Sequence, residues 1–197
     1  MKISILLAHP NPKSLNHALA KSVEDALIRR GDEVAFHDLY AEGFEADLPP
    51  GELRREADLP DLVGCHCAEV VQADGLVFVH PNWWGMPPAI LTGWVDRVLR
   101  PGVAYVFQGE DLGEGIPVGL LKARAALILN TSDTPPERER EVFGDPLETI
   151  WKNCILGFCG VNQVRRKVFS VVISSILDQR KVWLDQAVEL ALETFPK

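Results

Sequence analysis

Short apolar or β-branched runs alternate along the chain with longer stretches whose apolar residues recur every three or four positions, the pattern of βαβ units. Residues 3–8 (ISILLA) are almost wholly apolar, as a parallel strand covered on both faces requires. Ser14 or Asn16 can cap the next helix, with Leu15, Leu19, Val23, Ala26 and Leu27 at helical spacing and Gly31 after Arg29 and Arg30 as its stop. Residues 33–39 (EVAFHDL) alternate more and predict a second, less buried strand towards an edge. The Pro-, Gly- and acid-rich residues 42–61 read as a surface excursion. A short helix over 62–72 leads to a third strand at 75–80 (GLVFVH), and the loop PNWWGMPP opens a helix over 89–99. A Pro/Gly-rich connection follows at 101–119, then a buried fourth strand at 125–129 (AALIL). Pro135 and Pro136 break the chain, 147–158 predicts a helix, 163–173 the fifth strand, and 175–195 a closing helix. Its expected apolar side carries Leu177, Val182, Trp183, Leu184, Val188, Leu192 and Phe195.

Strands that alternate with helices and cross over right-handedly predict an α/β fold, an open doubly wound parallel sheet with helices on both faces. One domain over residues 1–197 accounts for the whole pattern, without repeats. Ligands of such sheets bind beyond the carboxyl ends of the strands, so the loops after Ala8, His80 and Leu129 are where function is expected.

Composition narrows the classes. The 197 residues are 47% hydrophobic and 24% charged, enough apolar material for a core. Twenty Lys and Arg against 28 Asp and Glu give a net charge of -8, which opposes nucleic-acid binding. The Arg165–Lys167 basic run reads as a solvated strand end. The apolar start is too short for a signal peptide, and nothing approaches the roughly 18 apolar residues of a membrane span, so a cytoplasmic location is expected. Four cysteines form no disulfide pattern. Cys65-His66-Cys67 has zinc-ligand chemistry but lacks the second pair that a tetrahedral site needs, so these read as thiols on a helix and no metal is expected.

The first loop, His9-Pro-Asn-Pro-Lys-Ser14-Leu15-Asn16, contains neither GxGxxG nor GxxxxGK[ST]. Its imidazole, hydroxyl, amide and helix start suit a phosphate, although Ser14 can equally be only an N-cap. The second, Pro81-Asn82-Trp83-Trp84-Gly85-Met86-Pro87-Pro88, combines flat apolar surfaces with rigid backbone, the mixture that a planar heterocycle needs. A core or subunit-interface role for either Trp is the alternative. The third, Asn130-Thr131-Ser132-Asp133-Thr134, supplies amides, hydroxyls and a carboxylate, but also consists of ordinary turn formers.

These residues resemble the flavodoxin-like NAD(P)H:quinone oxidoreductases, a family that includes quinone reductases and ancillary flavoproteins of potassium efflux systems. The marks are Ala8-His9-Pro10, Ser14-Leu15-Asn16, the run from Pro81 to Leu91, Gly93-Trp94-Val95-Asp96-Arg97-Val98 and Phe158-Cys159-Gly160, spread over nearly the whole chain. The resemblance implies a flavodoxin-like five-stranded parallel sheet of order 2-1-3-4-5 and a bound flavin, either FMN or FAD, of which FMN is favoured because residues 137–143 do not match the Tyr/His region of the longer FAD enzymes. It further implies NAD(P)H as donor, a quinone-like small-molecule acceptor and a homodimer. His9, Ser14, Leu15 and Asn16 would contact phosphate and ribityl; Pro81, Asn82, Trp83, Trp84 and Gly85 the ring; and Asn130, Thr131, Ser132 and Asp133 its opposite edge. Azo or nitro reduction would use the same scaffold, and a transporter's ancillary subunit is the non-enzymatic alternative. A Ser14/His9 hydrolase lacks the nucleophile elbow.

The chain also departs from the family. Asn130-Thr131-Ser132-Asp133 stands where the family has Thr-Thr-Gly-Gly, the Trp loop is one residue shorter than in the animal enzymes, and residues 137–143 (EREREVF) lack their Tyr/His pair. Backbone N–H groups near Trp83–Gly85 and Thr131–Asp133 are therefore expected to stabilise the reduced ring, with Asp133 capping the following turn.

Overall fold

The computed structural model describes residues 1–108 and 115–197; residues 109–114 of the expected 101–119 connection lie outside the described residues. Strand β1 (Lys2–Leu7) leads into helix α1 (Leu15–Arg30) and β2 (Glu33–Asp38), followed by α2 (Asp61–Gln72), β3 (Gly75–Pro81) and α3 (Ala89–Val98). The short strands β4 (Tyr105–Gln108) and β5 (Ile116–Gly119) pair antiparallel as a separate ribbon. Strand β6 (Ala125–Ser132), the short helices α4 (Pro136–Glu141) and α5 (Pro146–Thr149), β7 (Gln163–Ser170) and α6 (Leu177–Thr194) complete the chain. The main sheet runs β2-β1-β3-β6-β7 with every pair parallel. The ribbon inserted between β3 and β6 shifts the numbering of the last two strands relative to a sheet counted alone.

Period-two alternation sends side chains to two cores. Leu6, Leu76, Phe78, Ala126 and Ile128 pack with Val63, Trp94 and Trp151 on one face. Ile5, Leu7, Val77, Val79, Leu127 and Leu129 pack with Leu19, Val23, Trp183 and Ala187 on the other. The central strands β3 and β6 are buried throughout, which explains their unbroken apolar runs. Ser14 is the α1 cap, accepting from the His17 N–H, and Gly31 closes that helix at φ 91° with Arg29 and Arg30 in its last turn. Helix α6 buries Trp183, Ala187, Ala191 and Thr194, whereas Leu177, Val182 and Leu192 are exposed, so the small alanines form the docking seam.

Three readings are corrected or sharpened. Residues 42–61 are mostly exposed, as expected of a surface excursion, but the stretch is anchored inside. Phe44 and Glu52 are buried, and Glu52 takes a two-point hydrogen bond from buried Arg97 (2.9 and 2.5 Å). Arg97 also donates to Glu45 O, so one acid of the stretch serves an internal ion pair while the others are exposed. The 147–158 helix is present, but only its first turn, α5, is α-helical; it continues as a wider π-helical segment, Ile150–Gly157, that brings Trp151 against Phe78. Within the basic run, Arg166 is not solvated: its side chain is 4% exposed and pairs with Asp145 and Glu148.

Gly93 lets the segment around Ala46 dock against α3, since a Cβ there would stand 2.1 Å from Ala46 O. Gly93→Ala should cost about 1–3 kcal/mol by overpacking, or roughly 2–12 °C in Tm. Thermal melts with limited proteolysis of residues 42–61 check this; unchanged melting and cleavage would show that the contact can relax.

Candidate functional site

The chain leaves β1 at Ala8, whose N–H donates to Val79 O, and enters a self-supporting loop. Its two prolines supply no N–H donors, and three of the remaining N–H groups bond within the loop. His9 Nδ1 accepts from the Asn11 N–H (3.0 Å), Asn11 Oδ1 from the Lys13 N–H (2.9 Å) and Asn11 O from the Ser14 N–H (3.0 Å). Burial holds the His9 ring below its ordinary pKa, so its proton sits on Nε2. Its ring lies 6.1 Å from that of Trp83.

At the carboxyl edge of the sheet a cleft of about 430 Å³ brings together His9, Ser14, Leu15, Asn16, Pro81, Asn82, Trp83, Thr131, Ser132 and Asp133. Trp84 and Gly85 face an adjoining cavity of about 490 Å³, which also borders Asn82, Thr134 and Phe143. Trp84 (φ 58°) and Gly85 (φ 73°) form a tight two-residue turn closed by reciprocal bonds between Trp83 and Met86. This turn leaves Trp84 97% exposed. It also commits the Trp83 N–H to Met86 O and the Gly85 N–H to Asn82 Oδ1, so those two donors do not face a ring as the sequence suggested.

The third loop is corrected too. Ser132 Oγ, not Asp133, caps the turn by accepting from the Thr134 N–H (3.0 Å). Asp133 Oδ1 accepts from the Ile173 N–H (2.7 Å), and Ser132 O from the Val172 N–H, tying this loop to the one after β7. That tie carries Val172 and Arg180 into the cleft, with the Arg180 guanidinium held by Ser175 Oγ and Val172 O. Sequence reasoning missed Arg180 and Lys13, although extending the strand-end rule to β7 would have found the former.

Asn130 is absent from the cleft. It is fully buried, its Nδ2 donating to His80 Nε2 (3.0 Å) and its Oδ1 accepting from Arg166 Nε (2.7 Å). It supports the site from below rather than touching a ligand. Trp151 Nε1 also donates to His80 Nε2 (2.9 Å), leaving the His80 proton on Nδ1 for Pro81 O.

Burial, helped by Arg166, pushes the pKa of His80 down to about 4, and burial beside His37 does the same for His66. Both rings fold neutral. Their stabilisation is complete above the ordinary imidazole pKa near 6.5 and is lost as pH falls towards 4, at up to about 3 kcal/mol each. Urea unfolding should therefore weaken steadily from pH 6.5 to 4.5, with a shallower slope in His80→Gln. An unchanged slope in that variant would remove His80 as a cause.

Away from the cleft, His37, Glu42 and His66 bring one donor atom each within 4.8 Å. Trp94 Nε1 donates to His66 Nδ1 (2.8 Å), and an indole can only donate, so the neutral His66 ring carries its proton on Nε2, 3.3 Å from Glu42 Oε2. Metal ligation at Nε2 needs that nitrogen's lone pair, and the Trp94 bond holds the opposite tautomer. The cluster reads as a hydrogen-bonded tie between β2 and α2, with His37 bridging Glu42 and Glu69. Cys65 is exposed and bonds Glu69, whereas Cys67 is buried against Val98 O, so the two thiols do not converge. No helix among the described residues is long and apolar enough to cross a membrane.

Comparisons with known proteins agree with this fold. The profile of the Flavodoxin_2 family, described as a flavodoxin-like fold, matches residues 1–188. An uncharacterized NAD(P)H oxidoreductase of Haemophilus influenzae is 30% identical over 189 residues, covering 94% of this chain and 91% of that protein. The ribosyldihydronicotinamide dehydrogenase (quinone) of Mus musculus is 31% identical over 207 residues, covering 93% and 87%. Among solved structures, Smu.1420 from Streptococcus mutans UA159 superposes with a TM-score of 0.83 at 28% identity, covering 98% of this chain and all of that one. With its parallel sheet, its strand-end cleft and these relatives, the chain belongs to the flavodoxin-like NAD(P)H:quinone oxidoreductase family.

Proposed function

We propose that the protein is a flavin-dependent oxidoreductase that takes electrons from NAD(P)H and delivers them to quinone-like acceptors, as one flavin-binding domain over residues 1–197. The observation that carries this reading is the convergence of three loops on one strand-end cleft, of a size within the range of small-molecule sites. An orphaned atom in that cleft tests the fit. Asn16 is buried and borders the cleft, its Nδ2 donates to Thr131 Oγ1, and its Oδ1 has no hydrogen-bond partner among the described residues. A buried acceptor without a donor is costly, and a hydroxylated chain such as ribityl supplies one.

When bound, the flavin supplies the two-electron hydride chemistry. The chain binds and orients. The α1 start at Ser14, with Lys13 beside it, attracts the phosphate despite the net charge of -8. Trp83 and His9 wall the cleft, and Thr131 fixes the Asn16 amide. Asn130, His80 and Arg166 hold the floor in one hydrogen-bonded arrangement. No side chain need act as general base.

The reading extends to FMN as the flavin, to a homodimer and to work in the cytoplasm. FMN is favoured because residues 137–143 lack the Tyr/His pair of the longer FAD enzymes. The exposed Trp84, Phe143, Ile173 and Ile176 near the cleft favour a second subunit there. A visible spectrum of the purified protein, chromatography of the released cofactor and a sizing measurement test these parts, with NAD(P)H-dependent reduction of a simple benzoquinone as the activity readout. A colourless protein that takes up neither FMN nor FAD would overturn the proposal.

A further inference from the structure

Behind the phosphate loop stands a relay that the reaction does not require. Ser14 Oγ lies 2.9 Å from His17 Nδ1, and His17 Nε2 lies 2.9 Å from Asp38 Oδ2 at the end of β2. Asp38 Oδ1 accepts from the Ala41 N–H. As a carboxylate, Asp38 only accepts, so His17 Nε2 carries a proton in either charge state. In the neutral ring Nδ1 is then an acceptor, and the Ser14 hydroxyl must donate to it. Ser14 Oγ also accepts the His17 N–H in the helix cap (3.3 Å).

Counting the bonds of one oxygen gives the consequence. With His17 neutral, the Ser14 proton points into the protein and the cleft meets only a lone pair, which repels a phosphate oxygen. With His17 doubly protonated, Nδ1–H donates to Ser14 Oγ, the cap fills the second lone pair, and the Ser14 proton is free for an anion. Resting on the flavin-phosphate reading, we propose that His17 is a positioning residue that couples phosphate binding at Ser14 to uptake of one proton, with Asp38 holding the charged ring.

The groups facing His17 fit this role. Asp38 approaches from β2 as its counter-charge. His9 lies at a ring distance of 6.3 Å, and burial keeps it neutral, so it does not compete for the charge. Lys13 lines the cleft on the loop above. The proton comes from solvent and returns there when the phosphate leaves, so no other reactant is needed.

Dilution of the FMN-loaded protein, read by the fluorescence of released flavin, tests the coupling. Between pH 7.5 and 8.5 the FMN phosphate, with its second pKa near 6, is already a dianion, so its own titration drops out. The wild type should lose affinity as the pH rises through that unit, by no more than the tenfold that uptake of one proton allows. His17→Asn places an amide donor near Nδ1 without a titrating group, and should bind FMN with an affinity that is flat across the same range. Riboflavin, lacking the phosphate, should show no pH slope in either protein. A wild-type slope that survives in His17→Asn, or an equal slope for riboflavin, overturns the coupling. Flavin binding that fails at every pH in every variant overturns the functional reading instead, a distinguishable result.

Discussion

Ser14→Asp is expected to keep the fold and expel the flavin. Asp caps helices as well as Ser and suits the positive end of α1, so Tm should stay within a few degrees. A carboxylate at that position, however, faces the proposed phosphate. Two like charges about 4 Å apart in a partly screened protein environment repel by roughly 4 kcal/mol, or about a thousandfold in affinity. Ser14→Ala gives the opposite profile, losing about 1 kcal/mol of cap stability and much less affinity. Flavin content and thermal melts of the two variants separate these effects. A Ser14→Asp protein that purifies with full flavin would place the phosphate elsewhere.

Glu52→Leu should be the most destabilising of the substitutions considered. It strips the two-point partner from Arg97, which is buried in α3 and, among the described residues, otherwise hydrogen-bonded only to Glu45 O. The Glu52 carboxylate also favours the charged form of Arg97, raising its pKa. Removing one member of a buried pair leaves an uncompensated charge and typically costs about 3–5 kcal/mol, or roughly 6–20 °C in Tm for a chain of this size. Replacing both partners together, Glu52→Leu with Arg97→Met, should recover part of the loss, because the stranded charge is gone. A single variant that melts like the wild type would show that water reaches Arg97.

These predictions concern two kinds of residue that the sequence showed unequally. Ser14 was legible because a capping residue sits next to the first helical apolar position, after a strand that could only be central. Glu52 was not. An acid in a Pro- and Gly-rich stretch looks like solvated loop until Arg97, 45 residues away, is brought against it. Asp133 and Asn130 misled for a related reason. Their residue types suit turns and ligands alike, and only their partners, the Ile173 N–H for one and His80 with Arg166 for the other, decide which role they take.

The sequence by itself determined the parallel sheet, the helices on both faces and the edge at which the loops gather. Those follow from periodicity and from local signals such as Ser14 and Gly31, which act over a few residues. The tertiary structure decided what depends on partners far along the chain: the Arg97–Glu52 pair beneath an otherwise exposed loop, the His80–Asn130–Arg166 floor beneath the cleft, and Arg180 at its rim. It also aligned Ser14, His17 and Asp38. The first two share a helix turn, but the third arrives only because β2 pairs beside β1. Hydrogen-bond direction at a buried imidazole is fixed by whatever packs on its far side, and the chain's local pattern does not encode that.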